Sequence, residues 1–178
     1  MKNIYKLFPI VMLAVIVIIS SCKKEIDGCI DSSAMNYSAD ATSNDGSCIF
    51  AYDIAQGIWN ITPDCEEYSI PIIGTTISLN DQLPETINVQ GAGNNLLYLE
   101  INDTQVNGQI DNIGNIIVAK QTISIEMDGF GEMPIDVEGT GKIESISSGN
   151  MNLTYTFDIE VGPLPISESL DCSISLGK

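Results

Sequence analysis

The eleven residues Met151–Val161 alternate without interruption: Met151, Leu153, Tyr155, Phe157, Ile159 and Val161 fall on one side, and Asn152, Thr154, Thr156, Asp158 and Glu160 on the other. Side chains of a strand point alternately to its two faces, so this period of two predicts a strand with one face buried. The pattern recurs. Ile123, Ile125 and Met127 alternate with Thr122, Ser124 and Glu126, and Leu97, Leu99 and Ile101 alternate with Tyr98, Glu100 and Asn102. Leu170, Cys172, Ile174 and Leu176 share one face, as do Ile135, Val137, Gly139, Gly141 and Ile143, where the two glycines predict a sharp bend or close packing across a barrel interior. No run from Ile49 onward has helical periodicity. Asn107-Gly108, Gly114-Asn115 and Gly149-Asn150 are read as bends, the last as a hairpin turn, and Gly162-Pro163-Leu164-Pro165 as a break before the final strand. About eight to nine strands at these spacings predict an all-β fold, an antiparallel meander closing into a barrel over residues 52–178.

Charge narrows the function. The chain has seven lysines, no arginine, no histidine and 24 acids, and Lys2, Lys6, Lys23 and Lys24 all precede the first acid. Residues 25–178 therefore carry three lysines against 24 acids, a net charge of −21. Such a body repels nucleic acid and anionic lipid surfaces alike. Without histidine there is no Ser-His-Asp or Cys-His catalysis and no imidazole metal ligand, and without arginine no bidentate clamp for phosphate or carboxylate. A pair of carboxylates, as in glycoside hydrolysis, is the one catalytic device left open; Glu66-Glu67 reads equally well as a solvated turn, and the chain is not expected to be an enzyme.

Residues 1–21 read as a signal peptide. Met1-Lys2-Asn3-Ile4-Tyr5-Lys6 is a short basic start, and Leu7–Ile19 is an apolar run too short to span a bilayer. Ile19-Ser20-Ser21-Cys22 resembles the lipobox of bacterial lipoproteins. The resemblance implies cleavage before Cys22, acylation of that cysteine and a tether over 22–27 that anchors the protein to a membrane. Lys23-Lys24-Glu25 and Asp27 are similar to the surface-export signal of Bacteroidetes lipoproteins, which implies the outer membrane, with the cell surface expected ahead of the periplasmic face.

With Cys22 lipidated, Cys29, Cys48, Cys65 and Cys172 remain in an oxidising compartment. Three connectivities are open. The pairing Cys29–Cys48 with Cys65–Cys172 is favoured, because the first bond closes a small segment and the second joins the start and end of the remaining domain, a loop worth roughly 4 kcal/mol by the chain-entropy model.

Residues 28–48 are rich in Asp, Asn, Ser and Gly, which favour turns. Gly28-Cys29-Ile30-Asp31, Ala34-Met35-Asn36-Tyr37 and Asp45-Gly46-Ser47-Cys48 resemble a Cys-bounded module of exported Bacteroidetes proteins. Two readings stand side by side: a disulfide-closed knot of turns, and a structural calcium site with Asp31, Asn36 and Asp45 as ligands and Asp40 as a fourth. No other cofactor is expected.

Gly57-Ile58-Trp59, followed by Cys65, a meander, Tyr155 in the penultimate strand and Cys172 near the end, resembles the lipocalin-like (calycin) domains of small Bacteroidetes lipoproteins. Trp59 is then expected to plug the barrel base; the arginine that packs on this tryptophan in many lipocalins has no counterpart, since the chain has none. The resemblance implies a non-enzymatic module that binds a small apolar ligand. The alternative is a solid-packed barrel that binds a glycan or another envelope protein, with Tyr37, Tyr52 and Phe130 as candidate exposed rings.

Overall fold

A computed structural model describes residues 24–70, 74–101, 104–127, 131–161 and 164–178. The signal peptide, Cys22 and Phe130 lie outside the described residues.

The first described unit is the turn-rich module. Two short strands, β1 (Asp27–Gly28) and β2 (Ser43–Asn44), pair in parallel, and a disulfide joins Cys29 to Cys48. A single helical turn, α1 (Ala51–Ala55), follows and buries Ala51 and Ala55. The period-two reading did not anticipate it. Five residues are too few to show a helical period, and so short a helix depends on tertiary packing.

Then come the barrel strands: β3 (Gly57–Cys65), an inserted hairpin of β4 (Glu67–Ile70) and β5 (Thr75–Ser78), β6 (Thr86–Gly93), β7 (Leu96–Ile101), β8 (Thr104–Ile110), β9 (Asn115–Met127), β10 (Gly131–Ile143), β11 (Ser148–Val161) and β12 (Leu164–Gly177). Eight of them, β3 and β6–β12, form a closed antiparallel barrel in which each strand pairs with the next, and β12 returns to pair with β3. The alternation read from the sequence is the inside–outside alternation of this barrel. Tyr155, Phe157 and Ile159 of β11 are buried, and so are Leu170, Cys172, Ile174 and Leu176 of β12. Cys65 and Cys172 are direct partners across the β3–β12 ladder and are disulfide-bonded.

Turn positions depart from expectation in places. Asn107-Gly108 is no bend: both residues lie inside β8, paired with Tyr98 and Leu97. There the alternation of Val106, Gly108 and Ile110 outweighs the local turn preference of the dipeptide. Gly149 and Asn150 belong to β11, and the β10–β11 connection falls at residues 144–147. Leu164 and Pro165 belong to β12. Gly114 does lie in a turn, with positive φ, between β8 and β9. A turn not anticipated is Asn94-Asn95, where both residues have positive φ (51° and 61°) and link β6 to β7. This is the backbone of a two-residue hairpin turn, which asparagine tolerates better than most residues.

The two glycines of β10 behave as a bend and a close approach. The β9–β10 register shifts between Val137 and Gly139, so that Ala119 and Lys120 together oppose Glu138 in a bulge. A Cβ on Gly139 would collide with the carbonyl oxygen of Asn152, and one on Gly141 with the Met151 thioether, which fills the space the glycine leaves.

Candidate functional site

The two ends of the barrel are built differently. At one end α1 lies under β3. The Trp59 indole is fully buried and donates from Nε1 to the Ala55 carbonyl at 2.8 Å. The Lys178 ammonium stands 4.2 Å from the Trp59 ring centroid and donates to the carbonyls of Ile54 and Gln56, each at 2.7 Å. In a chain without arginine, a lysine just beyond β12 thus supplies a cation on the base tryptophan, and it also caps carbonyls at the end of α1. Lost hydration pulls this ammonium below the usual lysine range. Tyr52 fixes the other side of α1: its hydroxyl accepts from the Gly93 N–H at 2.7 Å, and its ring lies where a Cβ on Gly91 would have to go.

At the opposite end the β4–β5 hairpin folds over the opening. Ile70 and Ile77 are buried in the common core, and Tyr68 meets Phe157 edge-on at 6.4 Å between ring centroids. Asn80 holds the return of the hairpin, accepting from the Cys65 N–H at 2.8 Å and donating to its carbonyl at 3.2 Å. This cover lies on the β11 side.

On the β6–β8 side the barrel is not filled. A cavity of about 110 Å³ runs from Trp59 and Ala55 at the base along β7 and β8. Its walls are aliphatic, with Leu97, Val118, Ile123 and Val137 among them, and no acidic or basic residue lines it. Ile61, Ile87, Val89, Val106 and Leu153 also line it and are only half-buried, although they alternate with exposed neighbours as inward-facing residues do. The space therefore communicates with solvent.

The weakest seam of the barrel borders this cavity. β8 and β9 are laddered at two residue pairs, Gln109 with Ile117 and Ile110 with Ile116. Above them the Gln121 side chain stands in for a strand: its Oε1 accepts from the Asn107 N–H and its Nε2 donates to the Asn107 carbonyl, both at 2.8 Å. Of the polar residues in the wall, Tyr98 donates outward to Gln90 and Asn107 is bonded to Gln121. Tyr155 is different. It is 3% exposed and lines the cavity, and desolvation alone pushes its phenol up to about 12. Alternation placed Tyr155 on the inner face but gave no sign of open space beside it.

The residues proposed for calcium are occupied with turns. Asp31 accepts from the Ser33 N–H at 2.9 Å and hydroxyl at 2.6 Å, and Asp45 accepts from the Ser47 N–H at 2.9 Å. The hydroxyl and then the N–H of Ser33 hold the Asp31 carboxyl below the usual range, and those of Ser47 do the same for Asp45. Asn36 bridges the module, donating to the Ser47 carbonyl and accepting from the Ile49 N–H. Among the described residues no group of three or more Cys, Asp or Glu side chains is placed to hold a metal ion. Of the aromatic candidates, Tyr37 is exposed, while Tyr52 is half-buried against Gly91 and Gly93 and so unavailable as a stacking platform. Glu66 is tied to Asp171, donating from its N–H to the Asp171 carbonyl, and both Glu66 and Glu67 are exposed, away from the cavity.

No protein family model matches the chain, and no curated protein is similar to it. Among solved structures it is similar to a redesigned β-barrel at 11% identity and a TM-score of 0.36, over 72% of this chain and 94% of that one, a likeness too loose to carry an argument.

Proposed function

We propose that this chain is an exported lipoprotein, anchored in the outer membrane through lipid on Cys22, whose lipocalin-like barrel binds a small apolar ligand without catalysis. The observation that carries the binding role is the aliphatic cavity of about 110 Å³ beside the β8–β9 seam. An unfilled space of that size costs about 2–3 kcal/mol relative to a packed core, a sizeable part of the roughly 5–15 kcal/mol that holds a domain together. A barrel that served only as a scaffold would gain by filling it. Recruitment to a membrane falls to the tether, because a body at −21 is repelled by anionic lipid. A glycan-binding role has weaker support, since of the described candidate rings Tyr37 alone is exposed.

Trp59 is the single tryptophan of the chain and lies in the cavity wall. In isotope-labelled full-length protein held in lipid nanodiscs, cyclopentane is expected to shift the one indole N–H resonance saturably. An unmoved resonance overturns the binding role. Radiolabelled palmitate incorporation that survives Cys22→Ser overturns the anchor.

A further inference from the structure

We infer that Tyr155 is the polar anchor of the cavity, and that the ligand is a small uncharged molecule carrying one hydrogen-bond acceptor, such as a carbonyl, on an otherwise apolar body. The inference rests on the reading of the cavity as a ligand site and adds the chemistry of what fills it.

Three observations converge. The first is the state of the phenol. No described residue bonds the Tyr155 hydroxyl, and a buried hydroxyl without a partner costs about 1–3 kcal/mol. Yet among the described residues no buried side-chain oxygen is sealed in without a partner. The Tyr155 oxygen therefore keeps contact with open space, and the space its side chain borders is the cavity. A donor held at the wall of an aliphatic chamber is satisfied by an acceptor that enters it.

The second is the absence of a cation. Beyond residue 24 the lysines are Lys120, Lys142 and Lys178, none of which lines the cavity, and there is no arginine or histidine. Lys120 pairs with Asp136 on the outer surface at 3.1 Å, and Lys178 is held at the base by Ile54 and Gln56. A carboxylate drawn into these aliphatic walls would lose its hydration with no charge to replace it, so the group that the walls enclose is uncharged. An ammonium ligand meets the same obstacle, because no acid lines the cavity.

The third is size. A cavity of about 110 Å³ is smaller than the roughly 150 Å³ apolar cavity that holds one benzene in an engineered protein, so the enclosed part of the ligand has about half a dozen non-hydrogen atoms. In a body so small, a single hydrogen bond to Tyr155 is a large share of the binding energy.

Three probes of matched shape test this on the full chain in nanodiscs, read at the Trp59 indole resonance: cyclopentanone, cyclopentane and cyclopentanecarboxylate. Cyclopentanone is expected to bind, and Tyr155→Phe to weaken it about tenfold, the loss of one hydrogen bond of ordinary strength. Cyclopentane affinity should be the same in both proteins, which shows that the variant keeps the cavity. Cyclopentanecarboxylate at neutral pH should leave the resonance unmoved. Equal cyclopentanone affinity in wild type and Tyr155→Phe, or loss of both neutral probes together, overturns the anchor. Carboxylate binding as tight as the ketone overturns the uncharged class. If neither neutral probe binds wild type, the cavity reading itself falls, and the anchor with it. If cyclopentane binds but the ketone shows no dependence on Tyr155, the anchor alone fails.

Discussion

A phenol walled in by isoleucine, valine and leucine ionises late, and Tyr155 is expected to do so near pH 12, well above the ordinary tyrosine value of 10. Its folded-state value is raised, so the neutral form is the one the barrel favours. The stability it contributes is complete below pH 10 and is lost as pH rises toward 12. Ultraviolet titration should show a phenolate wave near pH 12 that disappears in Tyr155→Phe; a titration curve unchanged there by that substitution would contradict the burial. Asp111 works in the opposite direction. Burial pushes its carboxyl up, but bonds from the Asn115 side chain, the Asn115 N–H and the Ile113 N–H outweigh it and hold the value below the usual range. Its stabilisation is therefore present above about pH 4, where the unfolded carboxyl ionises, and is lost as pH falls through the lower folded value. Asp111→Ala should cost about 1–2 kcal/mol at neutral pH by removing bonds of 2.7–3.0 Å that shape the β8–β9 turn. Denaturant melts at pH 7 and pH 2 should show the difference from wild type shrinking in acid.

Among the elements, β8 and β9 hold the least ladder for their length, and Gln121 completes what ladder there is. Replacing it by alanine is expected to cost about 1–2 kcal/mol and to speed amide exchange at Asn107 while leaving β11 and β12 protected. Uniform acceleration across the barrel would show that the seam is no separate unit. The strands were legible because each is half-buried, and half-burial writes itself as alternation. α1 was not, since its helix comes from seating Ala51 and Ala55 under the barrel and pinning Tyr52 to Gly93. The Asn94-Asn95 turn was missed because neither central residue is glycine, although asparagine can adopt the same backbone. The cavity was illegible for a different reason. Alternation tells which side chains point inward, but whether they meet depends on how far apart opposite walls stand. Leu153 reads as an ordinary core residue and turns out, with Val89 and Val106, to border open space.

At the scale of the whole molecule the two disulfides guard different things. Cys65–Cys172 spans 107 positions and fastens the strands that close the ring, whereas Cys29–Cys48 spans 19 and stays within the turn module. Replacing Cys65 and Cys172 together by alanine should lower stability by about 4–5 kcal/mol, against about 3 kcal/mol for the shorter loop. Proteolysis should then cut the first variant within the barrel and the second within residues 28–48; a barrel equally resistant without Cys65–Cys172 would show that the ladder closes it unaided. The pairing of β3 with β12 also bears on timing. Residues 60–65 have their partners at 172–177, so every intermediate hairpin can form before the ring does, and the ring cannot form until the last of those partners is present. For a chain threaded through a membrane channel in extended form, this order postpones the one step that would make it too bulky to pass. On the proposed export route the barrel would shut only on the far side, where oxidation can rivet Cys65 to Cys172.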